Sequence, residues 1–112
     1  MIKKGVTISK LTPQAVLAFV IVQPIFHRRD RVCIMTSGDD STHKPTSKHY
    51  TGDAFDLRSK HLRLAEKGEV LVEMKEALGE NYDVIIELVG EPLEHYHIEY
   101  DPKPKPQPQV VA

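Results

Sequence analysis

The stretch Ser47-Lys48-His49-Tyr50-Thr51-Gly52-Asp53-Ala54-Phe55-Asp56 constrains this chain more than any other. Gly52 supplies a turn that other residues resist. Beyond the turn, Ala54 to Leu57 reads as a short strand, with Phe55 and Leu57 on one face and Ala54 and Asp56 on the other, because successive side chains in a strand point to opposite sides. Phe55 then anchors a core while Asp56 is aimed away from it, toward His49. A histidine and an aspartate brought together around a glycine need a partner from elsewhere, and Glu94-His95-Tyr96-His97 offers one.

The chain has six histidines, His27, His43, His49, His61, His95 and His97. His27 and His61 stand beside Arg28, Arg29, Lys60 and Arg63 and read as solvated charges. The other four fall in two short clusters, each close to a carboxylate, which is what a metal site requires. A catalytic zinc takes three ligands from His, Asp and Glu, leaves a position open, and needs a base nearby. His49, Asp56 and His97 fit the ligand roles and Glu94 fits the base. The pair His95 and His97 is an alternative, since residues two apart share a strand face. Glu94 and His97, three apart, converge only if Glu94 sits in the turn after Pro92 rather than in regular strand.

The rest of the chain predicts an α+β domain with a small antiparallel sheet and helices packed against it. Residues 1 to 10 read as a short strand or arm. Thr12-Pro13 is an N-cap followed by proline at the first helical position, opening a helix from about Pro13 to Val22 that is apolar nearly all round, is expected to be buried, and is ended or kinked by Pro24. Arg31 to Ser37 reads as a central strand running into Gly38-Asp39-Asp40. From about Leu62 to Leu78, Leu64, Val70, Leu71, Met74, Ala77 and Leu78 approximate helical spacing, with Glu66, Lys67, Glu69, Glu73, Lys75 and Glu76 on the wet face and Gly79 as the stop. Asp83 to Leu88 and Tyr96 to Tyr100, joined by a turn at Gly90-Glu91-Pro92, read as an antiparallel hairpin. Residues 1–101 form one domain, and 102–112, with a proline at every second position from Pro102 to Pro108, form an extended, flexible tail.

The charge balance narrows the partners. With 15 Lys and Arg against 16 Asp and Glu, a net charge of −1, there is no basic excess for nucleic acid or an anionic membrane. The apolar run Ala15 to Val22 is far short of the roughly 20 residues of a membrane span and is followed by no cleavage site, so no export signal and a cytoplasmic location as synthesised are expected. The single cysteine, Cys33, makes no internal disulfide and reads as a small buried hydrophobe.

Ser47-x-His49-x-x-Gly52-x-Ala54-x-Asp56 followed by Glu94-x-x-His97 resembles the signature of the zinc peptidases that include D-alanyl-D-alanine carboxypeptidases, the vancomycin-resistance D,D-dipeptidases and phage L-alanyl-D-glutamate endolysins, which share the hedgehog-like peptidase fold. With Thr42-His43, Tyr50, Leu57-Arg58 and His95-x-His97-x-Glu99-Tyr100-Asp101 added, the text is most similar to small phage and prophage members, over roughly residues 30 to 101. The resemblance implies zinc held by His49, Asp56 and His97, with Glu94 as acid/base and His95 facing the substrate where it could hydrogen-bond an oxyanion. Ser47 and Gly52 would support the ligand loop. Many relatives carry an arginine shortly after a Thr-Ser-Gly like Thr36-Ser37-Gly38, where this chain has Asp39-Asp40, so that His43, Lys44 or His95 would have to stand in. The implied substrate is an amide in the peptide stem of bacterial peptidoglycan, cut by a monomer that reaches the cell wall after phage-mediated release.

Overall fold

A computed structural model describes residues 1–39, 48–49 and 51–104. Two helices and four strands follow one another as α1 (Pro13–His27), β1 (Met35–Ser37), β2 (Ala54–Arg58), α2 (Leu64–Leu78), β3 (Tyr82–Glu87) and β4 (His95–Tyr100). The strands form one sheet in the order β1-β2-β4-β3 with every neighbouring pair antiparallel, so the domain is α+β. The two helices contact each other, and both reach the same sheet, α2 at β3 and α1 at β4. Phe55 and Leu57 of β2, Val84 of β3 and Tyr96 and Ile98 of β4 join Phe26, Val70 and Met74 of the helices in one core. The opposite parity of these strands, Asp56, Arg58, His95, His97 and Glu99, is left on the face away from the helices.

Helix α1 opens as its sequence predicts, with the Thr12 side chain accepting from the Ala15 N–H at 3.3 Å and Pro13 at the first position. Pro24, however, lies inside the helix rather than at its end. A proline in a helix interior costs about 3 kcal/mol. The last turn carries Ile25 and Phe26 into the core, and burying two such side chains returns about 3–6 kcal/mol, so the helix runs on to His27. Its burial is also one-sided: Val16, Leu17 and Val20 are 47%, 54% and 58% exposed, because only one flank of α1 meets the sheet and α2.

The expected central strand over Arg31 to Ser37 is a three-residue edge strand, with a register irregularity between Met35 and Ser37. The N-terminal arm bonds Cys33 and Met35, the Met1 ammonium donating to the Cys33 carbonyl, the Met35 N–H to the Met1 carbonyl and the Lys3 N–H to the Met35 carbonyl, while the Ile34 carbonyl accepts from the Arg58 N–H. Cys33 is buried as expected, and burial pushes its thiol up to about 12. In α2, Gly79 ends the helix at φ +78°, yet two expectations fail. Leu64 is 80% exposed, and Lys67 leaves the wet face to reach Glu94. His61 is not a solvated charge either; it stacks on Phe26 and donates from Nε2 to the Val32 carbonyl at 2.7 Å. The first residues of the expected tail are tied down, since the Lys103 ammonium pairs with Asp83 and Asp101 at 3.1 and 2.9 Å. Residues 105–112 lie outside the described residues.

The arm continues over two glycines. A Cβ on Gly38 would lie 2.3 Å from the Thr7 carbonyl oxygen, and one on Gly52 would lie 1.9 Å from that of Lys10. Asp39 fastens the same crossing, accepting from the Thr7 hydroxyl and the Lys10 N–H. Gly52 is also at φ +82°, so clash and backbone strain add there. Gly52→Ala is expected to destabilise the metal-free protein by at least about 2 kcal/mol, read from urea denaturation; an unchanged midpoint would mean that the arm does not hold this position.

Candidate metal centre

β2 and β4 pair so that Asp56 stands directly opposite His97. The turn that closes at Gly52, with the Gly52 N–H donating to the His49 carbonyl and the Asp53 N–H to that of Lys48, folds His49 back over Asp56. Three atoms meet there. His49 Nε2 lies 3.0 Å from Asp56 Oδ1 and 3.1 Å from His97 Nδ1, and His97 Nδ1 lies 3.0 Å from Asp56 Oδ1. His49 is 3% and Asp56 9% exposed.

The outer nitrogens fix which atoms point inward. His49 Nδ1 lies 2.8 Å from the Gly38 carbonyl oxygen, which can only accept, so Nδ1 carries the proton. His97 Nε2 lies 2.8 Å from Glu99 Oε1, and donates for the same reason. In the neutral imidazoles, His49 Nε2 and His97 Nδ1 are therefore lone pairs, facing each other and a carboxylate oxygen. Three lone pairs on a triangle need a cation at its centre. A tetrahedral metal at about 2.0–2.1 Å sets its ligand atoms roughly 3.3 Å apart, within a few tenths of an ångström of the spacing seen. Outer N–H groups bound to a carbonyl and a carboxylate are the usual support for histidine ligands. The group His49, Asp56 and His97 can accordingly hold a divalent metal.

Without a metal, a proton is the cation. Burial works against charge on His97, but its hydrogen bonds to the Asp56 and Glu99 carboxylates outweigh it and hold the imidazole up at about 9. Burial would likewise raise Asp56, but the bonds from His49 and His97 draw it down to about 2.

The residues predicted around this centre divide. Gly52 makes the ligand turn as expected. His95, on the same face as His97, stays out of the triangle: its Nδ1 donates to the Leu93 carbonyl at 2.7 Å, which leaves Nε2 facing Asp56 Oδ2 at 3.7 Å and Glu87 Oε1 at 3.8 Å. His43 and Ser47, with Lys44, lie outside the described residues. Glu99, named in the sequence only within the resembled motif, holds His97, and its position two residues beyond His97 puts it on the same strand face.

Glu94 is not brought to the triangle. It precedes His95 and so shares the parity of Tyr96 and Ile98, toward the helices. Its carboxylate accepts from the Ser59 hydroxyl at 2.6 Å, from the Lys67 ammonium at 2.8 Å and from the Gly90 N–H at 2.8 Å, with 1% of the side chain exposed. Burial raises this carboxyl, but the Gly90 N–H, Lys67 and Ser59 together bring it down from 4.5 to about 2. In the conformation seen, Glu94 clasps the β3–β4 turn to α2. The bonded carboxylate stabilises the fold above pH 4.5, and that contribution is lost as the pH falls toward 2. Glu94→Gln should therefore be less stable than wild type in urea at pH 7, and the gap should narrow between pH 4.5 and pH 2; a gap independent of pH would place the charge of Glu94 outside the clasp.

No family model, no curated protein and no solved structure matches the chain, so the reading of this centre rests on its own geometry.

Proposed function

We propose that this chain is a zinc-dependent peptidase that hydrolyses an amide in the peptide stem of bacterial peptidoglycan, on a hedgehog-like peptidase fold. One observation carries the reading: three inward lone pairs at 3.0–3.1 Å, with both outer imidazole protons committed to Gly38 and Glu99. Two nitrogens and one oxygen suit zinc. Zinc bound there would supply an acidified water and a polarised substrate carbonyl. The substrate class comes from the spacing of Ser47, His49, Gly52, Asp56 and His97, which is that of the peptidases resembled.

The chain's own part is to orient and to move a proton. Gly38 and Glu99 fix the two imidazoles, and the β2–β4 register fixes Asp56 against His97. With Glu94 engaged by Lys67 and Ser59, His95 is the group on the centre's face that takes up a proton, at Nε2, and returns it to the departing amine. The same engagement of Glu94 favours a second reading, a zinc-holding domain that binds wall peptides without cutting them.

Mass spectrometry of purified peptidoglycan after digestion separates the two. New stem termini are expected with the zinc-loaded protein and not after chelation; zinc binding without new termini would leave the second reading. His97→Ala should lose the metal. His95→Ala should keep zinc by elemental analysis and lose about 10²–10⁴-fold in rate, the usual share of a general acid/base. Loss of zinc from His95→Ala, with zinc kept in His97→Ala, would reverse the two assignments.

A further inference from the structure

Beside the triangle lies a cleft of about 540 Å³ whose walls include Asp56, Arg58, Lys60, Leu88, Leu93 and His95. Arg58 is two residues beyond Asp56 on the same strand face and stands opposite His95 in the β2–β4 register. It is half-buried, and among the described residues no carboxylate pairs with it. The described acids around it face other groups: Asp56 pairs with His49 and His97, Glu94 with Lys67, and Glu87, on β3, lies 3.8 Å from His95. Two lysines share this wall: Lys60, which donates to the Pro92 carbonyl, and Lys3, exposed on the N-terminal arm. A half-buried guanidinium that pairs with no carboxylate among the described residues, in a cleft whose wall includes Asp56 of the candidate centre, is a site for an anion on the ligand.

The strand spacing limits which anion. Arg58 and Asp56 are about 6.6 Å apart along β2, Cα to Cα. A carbonyl held at the triangle is separated by only the amide nitrogen and one carbon from an α-carboxylate on the residue that supplies the amine. A carboxylate there falls one step along the strand, within reach of a guanidinium that binds it through two parallel hydrogen bonds. Leu88 and Leu93 leave room for a small apolar group on the same residue.

We propose that Arg58 anchors a free α-carboxylate on the amine-side residue of the scissile amide, and so selects peptides in which that group is neither amidated nor in peptide linkage. A C-terminal residue qualifies, and so does a D-glutamate joined onward through its γ-carboxyl. The assignment rests on the peptidase reading of the His49, Asp56 and His97 centre, and its test separates the two. Calorimetric titration of the zinc-loaded full chain would use two matched pairs: acetyl-L-alanyl-D-glutamate against its α-amide, and acetyl-L-lysyl-D-alanyl-D-alanine against its C-terminal amide. Wild type is expected to bind the acid of at least one pair about ten- to hundredfold tighter than the amide, the range for a charge-assisted contact. Arg58→Gln should bring that ratio close to one, and Arg58→Lys, which keeps the charge without the fork, should fall between. Zinc content and circular dichroism of both variants should match wild type, and the comparison with Arg58→Gln removes any direct attraction of zinc for the acid. A wild-type ratio near one in both pairs, or the same ratio in Arg58→Gln, overturns the proposal. A preference for the acid with no cleavage of any of the four peptides supports the anchor and counts against the peptidase; cleavage without preference does the reverse.

Discussion

The parity of β4 sorts this protein into its two halves. His95, His97 and Glu99 alternate with Tyr96 and Ile98, and Glu94 falls in with the second set. One set builds a polar face with a histidine opposite Asp56, and the other builds a core beneath it. Because a strand has a period of two, the halves cannot be shifted independently: a slip of one residue would bury His97 and expose Tyr96. Tyr96 and Ile98, both fully buried, therefore fix the register that the polar face needs.

The polar face is assembled from charges and lone pairs that are mutually unfavourable without a cation. Three acceptors at 3.0–3.1 Å in a largely buried site raise the affinity of the centre for any positive charge, and the shifts of Asp56 and His97 are the same fact seen with a proton as the occupant. The cost is borne by surrounding contacts. Gly38 is held by Thr7 and Asp39, and its carbonyl aims His49; Gly52 is held by Lys10. The N-terminal arm thus belongs to the site through the backbone that carries its ligands. Asp39, at the position where an arginine was missed in the sequence, works as a fastener of that arm.

Much of this was legible in the residues. Period-two patterning gave β2 and the hairpin, Thr12-Pro13 gave the start of α1, Gly79 gave the end of α2, and the spacing of His49, Asp56 and His97 gave the three atoms that meet. What stayed hidden was decided by partners distant in sequence. Pro24 sits inside α1 because Ile25 and Phe26 find a core to enter; Arg31 to Ile34 is not strand because its backbone bonds go to separate partners, Arg31 to Phe26, Cys33 to Met1 and Ile34 to Arg58; Glu94 faces α2 because Lys67 and Ser59 answer its charge. The last could have been suspected from the odd spacing between Glu94 and His97, which in a continuous strand sends two side chains to opposite faces.

The strand order has a kinetic consequence. β3 and β4 are joined by a short turn, whereas β2 reaches β4 only across the whole of α2 and β3. The hairpin closes a small loop and the β2–β4 pairing a large one, whose entropy must be overcome before its contacts form. Asp56 and His49 thus meet His97 late, and the chain on its way to the native state offers a metal no finished cage. A bound ion would then hold the finished fold rather than seed it, slowing escape from the native basin while leaving the rate of entry little changed. Its mark would appear in the unfolding limb of the kinetics and not in the refolding limb.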